Sequence, residues 1–483
     1  MALTVLLYYP VFLTRPVFDD MGHVEFVAQQ GWHLLHMGPH FFRPLERILL
    51  GLNWLYYGDN FWLVKAVALL AFVLTVSLVH DLAARIVSPQ LPWAPFVIAT
   101  IFLVHPMHVS AVGKIDTLSE DLASVFALLV VRCAIAAAEA AAPSTVGART
   151  ALYWAMWSVP AVLLGMFSKE AFAGLAAMTP VLFAVALQAR GRESRKTLTG
   201  LVAGLGVAAA IYFAARIASG FPLAGTPTPA ARYELHFGVN VPMNLAAEFV
   251  SIAFPGSTLA LFARFDATEI AVSSALLVMF LVFLQRRVRV TIALWSEIQP
   301  ERRRMMLIIL LATIASLFPT CLIPELISEN QTALPLPFLA LLALACPLAL
   351  PLELDRRQRP LQPIVLSCAC SAAFVCLTLA TSGKVLAAQQ ASDQAYRRGD
   401  QILAAFREHP TAVVTACFER SMRTEPVKYG VFSVPDDLAA YYQLIRLKVQ
   451  QPGLVIKVVD LRLKDAGDPP ECTLHISGTS VTP

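Results

Sequence analysis

Charge is scarce in this chain. Only 14% of its 483 residues are Asp, Glu, Lys or Arg, while 57% are apolar and the mean hydropathy is +0.64. A water-soluble domain is about a quarter charged, so soluble-enzyme readings are excluded. An excess of one sign is missing too: 37 basic residues face 33 acidic ones for a net charge of +4. That balance is too even for a polyanion binder, and nucleic acid is excluded as a partner. Cysteines at metal-ligand spacing are absent. Of the eight, Cys133, Cys321, Cys346, Cys368, Cys370 and Cys376 lie within apolar runs and read as small packing residues. Cys368 and Cys370 would point to different faces of a helix. Cys417 and Cys472, in a polar region, read either as a disulfide in an oxidising compartment or as unpaired thiols. Internal repeats and low-complexity linkers are lacking, apart from a helix-compatible Ala134–Ala142 stretch.

What is present is a succession of apolar runs long enough to cross roughly 30 Å of hydrocarbon as helix. Eleven are expected, near 1–14, 63–80, 92–105, 117–137, 151–168, 171–188, 199–217, 267–285, 305–323, 332–351 and 363–381. The first lacks a basic n-region and a small-residue cleavage site before Pro16, so it reads as a span rather than a removable signal. The stretch 244–262 reads as re-entrant, broken at Pro255-Gly256, with a twelfth span as the alternative. Basic residues resist translocation. Arg85, Arg149, Arg190, Arg192, Arg195, Lys196, six arginines from Arg286 to Arg304, and Arg356, Arg357 and Arg359 make fifteen on one side, against nine opposite. The fifteen mark the cytoplasmic side, which puts the N-terminus inside and the C-terminal tail outside, in the periplasm if the membrane is a cell inner membrane.

The expected fold class is therefore an all-α polytopic membrane protein of about eleven transmembrane helices over residues 1–383. A small α/β extracytoplasmic domain follows over 384–483. In that tail an amphipathic segment runs to Phe406, β-like runs cover 411–416, 454–460 and 473–476, and a helix covers 436–449.

The informative polar residues sit on the outer side. The first outer loop, about Pro16 to Trp62, opens with Phe18-Asp19-Asp20 and continues through Glu25, Arg43, Glu46 and Arg47. Adjacent carboxylates after a span repel, which suits a base or a metal ligand; the same pair also reads as a cap of the next helix. Within this loop 24–35 is amphipathic and reads as a helix lying along the interface, with Trp32 at headgroup depth. The second outer loop carries His105, His108, Lys114 and Asp116, with Glu120 and Asp121 entering the fourth span. Histidines at i and i+3 share one side of a turn and suit a metal or phosphate, although interfacial histidines without a ligand are commoner. Carboxylates at a membrane helix end must face water, a cation or a substrate, or else cap the helix in water. A third turn, Ser168-Lys169-Glu170, is either a structural ion pair or a lysine offered to an anionic headgroup. Together these groups can bind a phosphate while deprotonating a hydroxyl.

Phe18-Asp19-Asp20, Arg43-Pro44-Leu45, His105-Pro106-x-His108 with Val112 and Asp116, and Ser168-Lys169-Glu170 follow one another in an order that resembles GT-C membrane glycosyltransferases. The likeness is to the O-mannosyltransferase-like branch that includes the transmembrane tetratricopeptide-containing mannosyltransferases. It covers about residues 1–190 and continues weakly to Pro337, where Ser328-Glu329-Asn330 stands at the place of a Ser-Glu-Arg. No tetratricopeptide repeats follow here. The resemblance implies a hexose, mannose in that branch, carried on a polyprenyl phosphate and transferred with inversion at the outer face to a protein hydroxyl or a glycolipid. On that reading Asp19 or Asp20 is the base, and Arg43, Lys114, Lys169, His105 and His108 bind the donor phosphate. Asp116, Glu120, Glu170 and Glu329 support them. A divalent metal bridging carboxylate and phosphate is compatible with the resemblance, and so is a metal-free reaction. The competing readings are a transporter or flippase for a lipid-linked saccharide and a non-catalytic homologue. A transporter would gather its ionisable groups at the midplane, whereas these cluster at outer ends.

Overall fold

The computed structural model describes residues 2–12, 14, 24–25, 27–28, 42–58, 60–113, 115, 117–140, 145–188, 192–221, 237–242, 244–245, 295–322, 334–349, 362–408, 413–418, 454–460, 472, 474–477 and 480–482, with single positions at 278, 282, 285, 289, 292, 444, 448, 449 and 451. Its helices are α1 (Ala2–Phe12), α2 (Pro44–Tyr57), α3 (Trp62–Ile86), α4 (Ala94–Leu103), α5 (His108–Gly113), α6 (Leu118–Glu139), α7 (Thr145–Ser168), α8 (Ala173–Ala186), α9 (Arg192–Ala218), α10 (Pro300–Cys321), α11 (Leu336–Ala340) and α12 (Gln362–Glu408). Ten of the eleven expected runs fall on these helices; the run at 267–285 lies almost wholly outside the described residues, as does most of 244–262. Among the described residues, four helices are long and apolar enough to cross a membrane: Trp62–Ile86, Leu118–Glu139, Gly147–Ser168 and Ser194–Ala218. Shorter apolar helices lie between and after them.

Helix α6 is the hub. Of its spanning window 78% is buried, against 17% for α9 at the periphery. Ala123, Ala127, Ala134, Ala137 and Ala138 line it, and such small side chains let α3, α7, α8 and α10 approach closely where lipid removes the usual hydrophobic drive to associate. Helices α3 and α6 run parallel, C-terminal end beside C-terminal end. Near their C-terminal ends Arg132 Nε reaches Asp81 Oδ2 at 2.6 Å, and Arg85 binds both Asp81 and Glu139. At the opposite ends a second cluster joins Phe61, just before α3, and Val64 and Ala68 of α3 to Leu118 of α6, Leu50 of α2 and Val24 and Val27. Val24, Glu25, Val27 and Ala28 are helical, and the rest of the interfacial helix expected over 24–35 lies outside the described residues.

One segment expected as loop is helical. Arg43 stands before Pro44 outside the helical region (φ −129°, ψ 71°), and a proline at the first helical position is a strong start signal for α2. With 14 residues, a buried Glu46 and exposed Tyr56 and Tyr57, α2 is too short to span.

The 47-residue α12 continues the last apolar run straight through the amphipathic segment to Glu408. Beyond it, β1 (Val413–Phe418), β2 (Val455–Asp460), β3 (Leu474–Ser477) and β4 (Ser480–Thr482) form one sheet in the order β2-β1-β3-β4. Strand β1 is parallel to β2 and β3, and β3 and β4 pair antiparallel. The end of α12 covers this sheet through Ile402, Ala405 and Phe406 against Val414, Ala416 and Leu474. Cys417 and Cys472 are disulfide-bonded. The expected helix over 436–449 is described only at Leu444, Lys448 and Val449, all helical.

Candidate functional site

The site is built where α2 begins, where α6 begins and where α7 ends. At the end of α7, Lys169 is extended (φ −154°, ψ 139°) between the helix and a 3₁₀ turn over Glu170–Phe172. Successive side chains of extended backbone point to opposite sides, so Lys169 and Glu170 turn to different partners. The break is positioned by packing: Phe172 lies on Gly165, where a Cβ would stand 2.3 Å from the ring. The Lys169 amide donates to the Gly165 carbonyl (3.1 Å), and Ser168 Oγ donates to the Leu164 carbonyl (2.8 Å).

Glu170 faces the Phe42-Arg43 dipeptide. Its Oε1 accepts from the Phe42 amide (2.9 Å) and its Oε2 from Arg43 Nε (3.1 Å). Arg43 Nη1 donates to Ser119 Oγ at 3.2 Å and lies 3.6 Å from Glu46 Oε2, one helical turn on. Ser119 Oγ in turn donates to Glu120 Oε2 (2.6 Å), and Glu120 Oε1 holds Lys169 Nζ in an ion pair. One continuous network thus runs Glu170–Arg43–Ser119–Glu120–Lys169, with Ser119, Glu120, Lys169 and Glu46 all buried. Burial on its own disfavours a charged group. At Arg43 burial is outweighed by Glu170, Glu46 and Glu120, and the guanidinium pKa rises. Burial pushes Glu46 up, only partly opposed by Arg43 and Arg47, and it lowers Arg47 against the attraction of Glu46.

The histidines have other neighbours. His108 opens α5 and its ring packs on Phe72 (4.6 Å between centroids) and Phe102 (4.4 Å); His105 lies 6.3 Å away and accepts from the Met107 amide at 3.3 Å. Both are buried, and His108 Nε2 has no hydrogen-bond partner among the described residues. Burial, then His105 and Lys384, drive the His108 pKa well down, so the ring is neutral near pH 7.

Of the residues expected at the site, Arg43, Lys169, Glu120 and Glu170 come together, and His105 and His108 form the separate aromatic-lined pair. Asp19, Asp20, Lys114, Asp116 and Glu329 lie outside the described residues. Among the described residues no group of three metal-capable side chains converges, while the adjacent acids with a metal ligand's chemistry, Asp19 and Asp20, are beyond that description. The approach to Asp19 is nonetheless anchored. Lys65, in the first turn of α3, binds the carbonyls of Val11 and Thr14 and donates to Thr14 Oγ1 at 2.9 Å, clamping the exit of α1 just upstream of the acidic pair.

Three participants escaped sequence reasoning. Ser119 has no charge to draw notice. Phe42 acts through its amide and ring, and its only signal is its place before Arg-Pro. Arg216, in the last turn of α9, counted only as a charge for orientation, yet it is buried against the rings of Phe42 and Phe221.

No known family profile and no curated protein sequence matches this chain. Solved structures do match, among them two of one protein. ArnT from Cupriavidus metallidurans bound to undecaprenyl phosphate aligns over 99% of this chain and 92% of its own, with 13% identity and a TM-score of 0.52. The apo form of the same protein aligns over 95% and 88%, with 11% identity and a TM-score of 0.55. At that identity the likeness is one of fold: the chain shares the overall architecture of ArnT, here a mostly helical body with several apolar helices followed by a small sheet.

Proposed function

We propose that this protein is an integral membrane glycosyltransferase that moves a sugar from a polyprenyl-phosphate donor to a cell-envelope acceptor at the outer face of a cell inner membrane. The observation that carries the reading is the buried network that gathers Arg43, Lys169, Glu120 and Glu170, three chain-distant segments, at one end of the bundle. The ArnT fold, solved once with undecaprenyl phosphate, supports a lipid-phosphate donor.

The donor of such a reaction is a phosphodiester with one negative charge. An acceptor hydroxyl attacks the anomeric carbon, its proton passes to a carboxylate, the new C–O bond forms, and the electrons of the breaking bond stay on the lipid phosphate, which leaves as a dianion. Asp19 or Asp20 is our choice of base, since an alcohol is a poor nucleophile near neutral pH without one. Growing phosphate charge calls for cations fixed in advance, and Arg43 and Lys169, already held by Glu170 and Glu120, meet that need. Lys114 is a further candidate, and the His105–His108 pair is assigned a neighbouring supporting place. Attack opposite the leaving group gives inversion. A hexose, mannose in the O-mannosyltransferase-like branch, and a protein hydroxyl or glycolipid acceptor are the finer expectations.

Purified protein incubated with labelled prenyl-linked sugars tests the donor class. Made singly, Asp19→Asn and Asp20→Asn are expected to include at least one variant that inserts and folds yet transfers about 10²-fold or more slowly, the usual size of a lost general base. Full transfer by both would remove the proposed base.

A further inference from the structure

The end of the bundle opposite the network carries a second group of cations. Helix α10 opens with Arg302, Arg303 and Arg304, all three partly buried. Gly174, just beyond Glu170, packs on Ala315 and Pro319 near the other end of α10, so the three arginines lie about 20 Å down the helix from the proposed transfer site. Their partners are few. Arg302 Nη1 donates to the Ala349 carbonyl (3.3 Å), Arg304 Nε to the Pro300 carbonyl (3.4 Å), and Arg304 Nη2 lies 3.3 Å from Glu301 Oε1. The Glu301 side chain is 58% exposed, so water weakens that pair. Arg303 Nε and Arg304 Nη1 are shielded from solvent and meet no hydrogen-bond partner among the described residues.

Two costs are left standing at this end. The positive pole of the helix dipole opposes cations in the first turns, and a shielded N–H without an acceptor forfeits its hydrogen bond. Charge that only had to stay on one side of a membrane would be served by solvated lysines. An anion from outside the chain relieves both costs.

The residues along the helix say which anion fits. Between Met305 and Pro319 the exposed positions are Leu307, Leu310, Ile314 and Phe318, at 38%, 39%, 48% and 49%, while Met305, Met306, Ile308, Ile309 and Ala312 are buried in the core. Steps of three and four residues place the exposed four on one face of the helix. Arg303 stands one turn before Leu307 at the head of that face, and Arg304 flanks it. An open apolar stripe about 15 Å long below a pair of cations has the outline of a phospholipid, acyl chain below and phosphate above. Free phosphate would answer the arginines and leave the stripe bare. Trp295, 40% exposed shortly before α10, has the amphipathic ring that favours headgroup depth.

We propose that the start of α10 is a binding place for an anionic phospholipid of the bilayer, whose phosphate sits on Arg303 and Arg304 and whose acyl chain lies along Leu307, Leu310, Ile314 and Phe318. It is separate from the sugar-donor site and does not depend on the identity of the donor.

The test titrates full-length protein in a neutral detergent with phosphatidylglycerol, with phosphatidylcholine of the same acyl chains and with inorganic phosphate, counting bound lipid by native mass spectrometry and following the melting temperature. Wild type is expected to bind phosphatidylglycerol about fivefold or more tightly than phosphatidylcholine and to gain no stability from inorganic phosphate at matched concentration. Arg303→Gln should bind phosphatidylglycerol about fivefold more weakly, and the Arg303→Gln, Arg304→Gln double variant about thirtyfold, the size expected for one and two basic residues at a lipid surface. Arg195→Gln, which removes an exposed cation near the start of α9, should bind as wild type does. If the double variant fails to insert, the single variant decides. Equal binding of the two lipids by wild type, an equal response to inorganic phosphate, undiminished binding by Arg303→Gln, or an equal loss in Arg195→Gln overturns the proposal. Binding that is lost in Arg43→Gln and kept in Arg303→Gln also overturns it, and would put the lipid at the network instead.

Discussion

Lys169 and Glu120 are 8% and 4% exposed, and each would be a costly buried charge without the other. Removing one partner of such a pair destabilises by roughly 3–5 kcal/mol, because the survivor is left uncompensated, whereas replacing both is far less damaging. Lys169→Met and Glu120→Gln are therefore each expected to lower the melting temperature markedly, and the double variant to recover much of the loss. Transfer should stay absent in the double variant, since Lys169 is assigned to the phosphate. A double variant as unstable as the sum of the singles would mean the pair does not interact. His108 gives a pH signature of the opposite kind. In the unfolded chain its ring titrates near pH ~6.5, and in the fold burial, followed by His105 and Lys384, depresses its pKa. A depressed folded value means stability that is full above the unfolded pKa and declines as pH falls toward the folded one, because only the unfolded state takes up the proton. Melting temperature should fall between about pH 7 and 5 and fall less in His108→Phe, whose ring fills the same aromatic pocket. An unchanged slope would assign the acid sensitivity to other groups.

Helix packing makes a sharper demand at two glycines. Gly174 of α8 faces α10 so closely that a Cβ would stand 2.2 Å from the Ala315 carbonyl oxygen and 2.8 Å from Pro319 Cγ, whereas a Cβ on Gly206 of α9 meets nothing within 4 Å. Gly174→Ala must push two backbones apart and is expected to destabilise by about 1–3 kcal/mol. Gly206→Ala should be neutral or better, since alanine favours helix by up to about 1 kcal/mol. Equal melting temperatures in detergent for the two variants would contradict this packing. Such contacts also mark the limit of what was legible. Spans could be read because a 3.6-residue repeat and a hydrocarbon thickness are local properties, and ten runs reappear as helices. Helix α2 was missed because its charged first turn resembles loop composition, although Arg43-Pro44 carried the start signal. Strand β4, three residues long, had no periodicity to show. At the site, residue types betrayed Arg43, Lys169, Glu120 and Glu170, but not their pairing, since which carboxylate meets which cation is decided by long-range packing. The uncharged Ser119, which links them, and Gly165, which admits Phe172, carry no chemical mark in a sequence.

At the scale of the whole molecule, α12 ties the sheet to the helical body. Its 47 residues reach about 70 Å at 1.5 Å per residue, more than twice the thickness of the hydrocarbon, so the helix leaves the bilayer and carries the sheet on its far end. That domain comes back to the segment that follows α1, where Lys448 pairs with Glu25, a few residues beyond the Asp19-Asp20 pair in the sequence. We propose that the domain lies in an oxidising compartment, because Cys417 and Cys472 are bonded across 55 residues and the arginine distribution assigns the tail to that side. A reporter active only in the periplasm and fused at Pro483 should accordingly be on, and the two thiols in intact cells should resist a maleimide until reduced. Opening the loop with Cys417→Ser is expected to cost the domain about 2–4 kcal/mol, read as faster proteolysis beyond Glu408 while the spans stay protected. The two readouts are independent, one reporting where the tail lies and the other what holds it. A silent reporter together with freely labelled cysteines would put the domain inside, carry Lys448 and Glu25 with it, and remove the outer surface on which the proposed transfer takes place.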